Sequence, residues 1–289
     1  MIYVIGGPTG TGKTQLAVAL AKEWQAPLIN ADVYQMYQGM DIGTNKDLAT
    51  MTPLHPYLYN HLSLDEPMTV ARYQQDFRRL IEKLTPIHKR ILVVGGTGLY
   101  IKASLYDFHF AKHEEPLDLS KFNNWDDDRL YQHLKTLDAD AAKKIHPHNR
   151  RRVLRAIAIF LQTGQTKTQQ EVTPVRKLLY PATFIGMLPE RTNLYASLDA
   201  RVDQMIATGL VDEVKTLIQR YGKTSIALQA IGYKEIITHL DGKMSLDAAI
   251  VSMKLATRRY AKRQLTYFRH QFPTQWFATW REAYEALKP

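Results

Sequence analysis

Apolar residues along this chain follow two rhythms. Short uninterrupted runs stand at Ile2 to Ile5, Leu28 to Ile29, Ile91 to Val94 and Ala182 to Leu188, the pattern of strands buried on both faces of a parallel sheet. Elsewhere apolar positions recur every three or four residues. Leu16, Ala17, Leu20, Ala21 and Trp24 form one such set; Val70, Tyr73, Phe77, Leu80, Ile81 and Leu84 form another. These spacings predict amphipathic helices, the first broken at Ala26-Pro27 and the second running from Thr69 to Leu84 before Pro86. The run Ile91 to Val94 ends in Gly95-Gly96-Thr97-Gly98, and a further helix opens at Leu99. Strands that alternate with helices predict an α/β domain.

From Tyr106 the alternation stops, and the chain to about Tyr180 is polar, charged and helix-prone. We read residues 107–181 as an inserted, mainly helical subdomain between a first core segment, 1–106, and a second, mostly helical one, 182–289. Within the insertion a helix is predicted from Arg150 to Leu161, with Val153, Leu154, Ile157 and Leu161 inward and the arginines outward, closed at Thr163-Gly164. After the strand at Ala182, helices are expected over Asn193 to Ala207, Leu210 to Tyr221, a pair around Ile231-Gly232, and Leu246 to about Phe272. A short strand (Gln275 to Ala278) and a last helix follow.

The first strand leads into Gly7-Pro8-Thr9-Gly10-Thr11-Gly12-Lys13-Thr14, which fits the phosphate-loop pattern G-x-x-x-x-G-K-[ST] between a strand and a helix. Glycines let successive backbone N–H groups turn toward phosphate oxygens, and the helix N-terminus adds partial positive charge. Lys13 reaches the outer phosphates and the Thr14 hydroxyl can ligate Mg²⁺. The expected fold is therefore α/β, a P-loop NTPase-like parallel sheet flanked by helices with the helical insertion. Asp32 follows the second strand, where residues past a carboxyl end line the ligand crevice. A turn or N-cap aspartate is the alternative. The strand at Ile91 closes on glycines and Thr97 where ATPases and GTPases usually carry an Asp for Mg²⁺. That argues for a transferase over a motor or switch NTPase.

Charge changes the picture next. The 38 Lys+Arg against 28 Asp+Glu give +10 and a pI near 9.5. Lys143 to Arg155 holds six basic residues and no acid, and Ala248 to Arg281 holds no Asp or Glu. Segregation by sign favours a polyanionic partner. There is no cysteine, which excludes disulfide scaffolds, Cys-zinc sites and thiol nucleophiles. His55, His61 and Asp65 are too irregularly spaced for a metal site. No run approaches a membrane span or a cleavable leader, so a cytoplasmic protein is expected. A monomer is expected as well, although no residue pattern specifies the oligomeric state.

In order along the chain stand Gly7 to Thr14, Ala31-Asp32 with Gln35-Met36-Tyr37, Gly39 to Thr44 with Lys46, Asp76-Phe77-Arg78 and Val94 to Tyr100. Ile145-His146-Pro147, Arg151 to Arg155, Arg201-Val202-Asp203, Gly209 to Val214, Ala230 to Glu235 and Thr257 to Thr266 continue the series. Taken together, nearly the whole chain resembles the bacterial tRNA dimethylallyltransferases. Val33 stands where that family usually has Ser, Asp47 where it has Pro, and Asn149-Arg150 where Asn-Asp is common; Asn60-His61-Leu62 is followed by a shortened loop.

The resemblance implies transfer of a prenyl group from dimethylallyl diphosphate to N6 of the adenosine beside the anticodon, A37, of tRNA, with release of pyrophosphate. It implies Asp32 as general base, Thr97 against the departing pyrophosphate oxygen, Arg201 as a further pyrophosphate clamp, and Gly7 to Thr14 with Mg²⁺ as the diphosphate cradle. Asp32, Val33, Tyr34, Gln35 and Thr97 would meet the flipped adenosine. Arg151, Arg152, Val153, Leu154 and Arg155, with Arg258, Lys262 and Arg263, would contact the anticodon stem-loop. Two rivals remain open at this point: a nucleoside or small-molecule kinase holding ATP on Lys13 and Mg²⁺, and a non-catalytic RNA-binding module. ATP as a competing occupant of the phosphate loop is also open.

Overall fold

The computed structural model describes residues 1–108, 110, 117–166, 168–169 and 177–288. Five strands, β1 (Ile2–Gly6), β2 (Leu28–Asn30), β3 (Ile91–Val94), β4 (Ala182–Met187) and β5 (Thr274–Phe277), make one wholly parallel sheet in the order β2-β3-β1-β4-β5. β1 is central: Ile2 pairs with Ile91 on one side and with Ala182 on the other. The strand order reverses there, so a crevice opens at the carboxyl end of β1. β2 runs one residue past its apolar pair because Asn30 still pairs with Val94, and β5 starts one residue before the expected Gln275 because Thr274 pairs with Phe184.

Contacts divide the chain into two compact units, Met1–Tyr106 with Leu178–Pro289, and Asp107–Lys177. In the first unit each sheet face buries its own core, as the period of two along a strand requires. Ile5, Leu92, Val94 and Ile185 face α1 (Lys13–Trp24) and the C-terminal helix (Trp280–Leu287). Val4, Ile91, Val93 and Phe184 face Tyr73 and Phe77 of the Val70–Leu84 helix and Phe268 of the long Leu246–Gln271 helix. The Val70–Leu84 helix starts where Thr69 accepts from the Arg72 N–H, and it buries Tyr73, Phe77, Ile81 and Leu84 as the spacing predicts. The pair expected around Ile231-Gly232 is a 3₁₀ turn, Ile226–Gln229, and a helix, Tyr233–Leu240.

The second unit holds helices Asp127–Leu137, Ala139–Lys144 and Arg150–Thr163, capped by Asp126, Asp138 and Asn149. Phe122, Leu130, Leu134, Ile145, Val153 and Ile157 form its core. Two sequence expectations change here. Leu161 is exposed, while Leu154 packs half-buried against this core as expected and Ala156 and Ala158 are buried. Arg150 turns inward: its guanidinium donates to Trp125 O at 2.6 Å and Phe122 O at 2.8 Å and pairs with Asp127 at 3.2 Å. Buried carbonyls at the helix entrance need those donors, so Arg150 is structural.

Candidate active site

Three loops meet at the carboxyl end of the sheet: 7–14 after β1, 31–35 after β2 and 95–97 after β3. With side chains of the Arg191–Ala207 and Leu246–Gln271 helices they bound a cavity of about 510 Å³. Thr9 to Gln15 line it; Gly7 and Pro8 lie buried behind. Pro8 O accepts from the Thr11 hydroxyl at 3.0 Å and from the Lys13 ammonium at 2.5 Å, which folds the loop on itself. Gly12 sits at φ 90°, and a Cβ there would come within 2.8 Å of Trp280, so glycine is required on both counts.

Asp32 faces this loop. Its backbone is fixed by the buried Asn30, whose side chain accepts from Asp32 N–H at 3.0 Å and donates to Asp32 O at 2.9 Å and Leu58 O at 2.8 Å. The Asp32 carboxylate accepts from Tyr34 N–H at 3.2 Å, so the N-cap reading is also correct. The two roles are compatible, because a cap uses only part of a carboxylate's acceptor capacity. Arg201 crosses from the opposite wall and donates to Thr9 Oγ1 at 2.9 Å.

Burial dominates the electrostatics. It raises the Asp32 pKa above the usual carboxylate value, against the opposing pull of Lys13, the Tyr34 N–H and Arg201. It lowers Lys13 to about 8, with Asp32 opposing and Arg201 adding to the shift, and lowers Arg201 to about 10. Two desolvated cations thus confront one carboxylate. A multiply charged anion between them is electrostatically favoured, and the carboxylate is a stronger base than in water.

Thr97 lies at the start of the Gly98–Leu105 helix, and its Oγ1 accepts from Val33 N–H at 3.3 Å. Tyr34 and Gln35 line the cavity, and Gln35 is oriented by a bond to Thr44 O at 3.1 Å. The loop carrying Thr44 is pinned from a distance. Glu213 accepts from the N–H groups of Asp41, Ile42 and Gly43 at 3.0, 2.7 and 3.1 Å and from the Tyr233 hydroxyl at 2.6 Å. The Lys46 ammonium is wholly buried against Asp41, Asn60 and Tyr37 O.

Arg263 lines the cavity and Lys262 is exposed beside it, whereas Arg258 is engaged by Asp199 at 2.8 Å. In the second unit Arg151, Arg152 and Arg155 are exposed and make no ion pair among the described residues, while Val153 points into the core, fully buried. Residues that the local pattern did not single out include Asn30, Glu213 and Gln264, the last donating to Gly96 O and accepting from Thr9 N–H. Gln264 and Glu213 act across separations of 255 and about 170 residues, and no local spacing encodes such a bond.

As to metal, Asp32 and Asp47 are the carboxylates among the described lining residues, and no group of three His, Cys, Asp or Glu is placed to hold an ion. Mg²⁺ commonly uses one or two carboxylates, substrate phosphates and water. Thr14, on the cavity wall, with an acid nearby, fits an ion that arrives with a diphosphate.

A phosphate loop at the switch point of a parallel sheet, faced by a buried carboxylate and backed by an arginine, suits a group-transfer enzyme acting on a phosphate-bearing substrate. The model of the IPP transferase family matches residues 35–271, and the chain belongs to that family. It is 42% identical to the tRNA dimethylallyltransferase of Anoxybacillus flavithermus over 280 residues, covering 96% of this chain and 89% of that one. The tRNA isopentenylpyrophosphate transferase of Bacillus halodurans superposes with a TM-score of 0.73 at 36% identity, covering 99% of this chain and 95% of that one. A eukaryotic dimethylallyltransferase, solved acting on tRNA, superposes with a TM-score of 0.80 at 30% identity, covering 96% of this chain and 74% of that one.

Proposed function

We propose that the chain is a tRNA dimethylallyltransferase, moving the dimethylallyl group of dimethylallyl diphosphate to N6 of the adenosine beside the anticodon. The observation that carries this reading is the convergence of Asp32, Lys13 and Arg201 on one recess whose third strand ends in Gly95-Gly96-Thr97 and no acid. N6 attacks C1, the C1–O bond breaks, and its electrons leave on pyrophosphate. The N6 proton passes to Asp32, whose raised pKa suits it to the task. Lys13, Arg201 and the N–H groups of the phosphate loop stabilise charge on the departing diphosphate, and the Thr97 hydroxyl, in the same loop as the cavity-lining Gly95, would donate to its bridging oxygen. When bound at Thr14, Mg²⁺ would neutralise part of that charge.

The prenyl tail needs apolar surface, and Leu198, Val202, Met205, Ile231 and Met253 supply it on one side of the cavity. The adenine is unreachable while stacked, so the base must flip into the recess beside Tyr34 and Gln35. Arg151, Arg152 and Arg155 on one unit, and Lys262 and Arg263 on the other, are suited to phosphates of the stem-loop. The test is incubation with Mg²⁺ and unmodified tRNA, offering labelled dimethylallyl diphosphate or ATP. Label on RNA from the prenyl donor alone supports prenyl transfer. ATP consumption tied to an acceptor would establish a kinase instead.

A further inference from the structure

Gln264 has no place in the chemistry above, yet it is one of the few polar side chains buried to 4% exposure. Its Oε1 accepts from Thr9 N–H at 2.9 Å, and its Nε2 donates to Gly96 O at 3.0 Å. Only this orientation of the amide satisfies both partners, since a flipped amide would set N–H against N–H. The side chain is also held in place sterically. A Cβ on Gly96 would lie 1.9 Å from Nε2, and on the next turn Tyr267 and Phe268 would meet a Cβ on Gly98 and Gly6 at 2.4 and 1.9 Å. The helix therefore delivers one amide, without freedom to swing, between the loop that follows β1 and the loop that follows β3.

Each loop carries half of the leaving-group site. Thr9 is held on its other side by Arg201, at 2.9 Å, and Gly96 immediately precedes Thr97, whose Oγ1 meets the backbone next to Asp32. A continuous path thus runs from Arg201 through Thr9, Gln264, Gly96 and Thr97 to Val33. We infer that Gln264 is a positioning residue: it sets the spacing between the phosphate loop and the Thr97–Asp32 side, so that the diphosphate leaves in line with the attacking nitrogen. This role rests on the prenyl-transfer reading.

The experiment compares wild type, Q264L and Q264E in single-turnover and steady-state transfer of labelled dimethylallyl to an anticodon stem-loop RNA, with calorimetric binding of pyrophosphate and thermal melting alongside. Q264L breaks both bonds at nearly constant volume. Because misplacement on the ångström scale can lower rate by about 100-fold, kcat should fall by that order while KM values and pyrophosphate affinity shift by less than about threefold. Q264E keeps the acceptor for Thr9 but can donate to Gly96 O only when protonated. Its rate relative to wild type should therefore climb as pH falls. A Q264L enzyme with a lowered melting temperature but wild-type kcat, or a Q264E ratio flat with pH, would overturn the positioning role. Absence of transfer by the wild-type chain would overturn the functional reading itself, and this role with it.

Discussion

Gly95→Ala is the sharpest single-atom perturbation that the site offers. A Cβ on Gly95 would lie 2.1 Å from Ala31 C, 2.3 Å from Ala31 O and 2.7 Å from Asp32 N. All three are backbone atoms, so no flexible side chain can swing aside. Against an ordinary contact of 3.4 Å the shortfall at Ala31 is about 1.3 Å. That strain falls on a segment tied to β3 by Ala31 N–H to Val94 O at 2.7 Å and by Thr97 N–H to Ala31 O at 3.1 Å. The expected cost is that of overpacking, about 1–3 kcal/mol, which for a chain of this size lowers the melting temperature by roughly 2–10 °C. The functional effect is larger, because Asp32 moves relative to the phosphate loop while the loop itself is untouched. Single-turnover prenyl transfer should drop about 100-fold or more, and pyrophosphate affinity measured by calorimetry should stay within about threefold. Wild-type transfer and stability in Gly95→Ala would refute the claim that the β2–β3 contact sets the position of the base. A parallel loss of pyrophosphate binding would show instead that the whole recess had collapsed.

Three other outcomes follow from the same structure. Burial lowers Lys13 to about 8; a bound anion draws that pKa up, so around that pH pyrophosphate binding should take up a proton. Calorimetry in buffers of different ionisation heat should show this uptake, weakened in Lys13→Met; identical linkage in both chains contradicts it. Reversing Arg151, Arg152 and Arg155 to Glu should weaken RNA binding and flatten the log–log salt slope by about 2–3, and an unchanged slope removes that helix from the interface. Glu213→Ala leaves the N–H groups of residues 41–43 and the Tyr233 hydroxyl without their acceptor, and should cost about 2–3 kcal/mol in denaturant melts. A loss below about 0.5 kcal/mol would mean that water replaces the carboxylate.

Legibility in the sequence divided along a physical line. The strand at Ile91 was readable because burial on both faces demands an unbroken apolar run, and Gly7 to Thr14 because each residue type answers to local backbone geometry or ligand chemistry. Asp32 could be placed near the phosphate loop since parallel topology sends strand ends to one edge. Gln264 and Asn30 were not readable in the same way. Their polar side chains act within a folded interior, through partners 255 residues away in one case and through a two-residue backbone clasp in the other. Leu161 misled because the apolar stripe of its helix continues beyond the point where a core remains to receive it. Arg150 misled because charge alone does not tell a solvated arginine from one that satisfies buried carbonyls.

The central claim is that Asp32 takes the N6 proton while the phosphate loop takes the diphosphate. Its most direct test is single-turnover transfer by wild type and Asp32→Ala, with stem-loop RNA affinity measured on the same two preparations. Loss of general-base help should lower the transfer rate by about 10²–10⁴-fold with RNA affinity preserved. Equal rates in the two chains would contradict the assignment of Asp32 as the base.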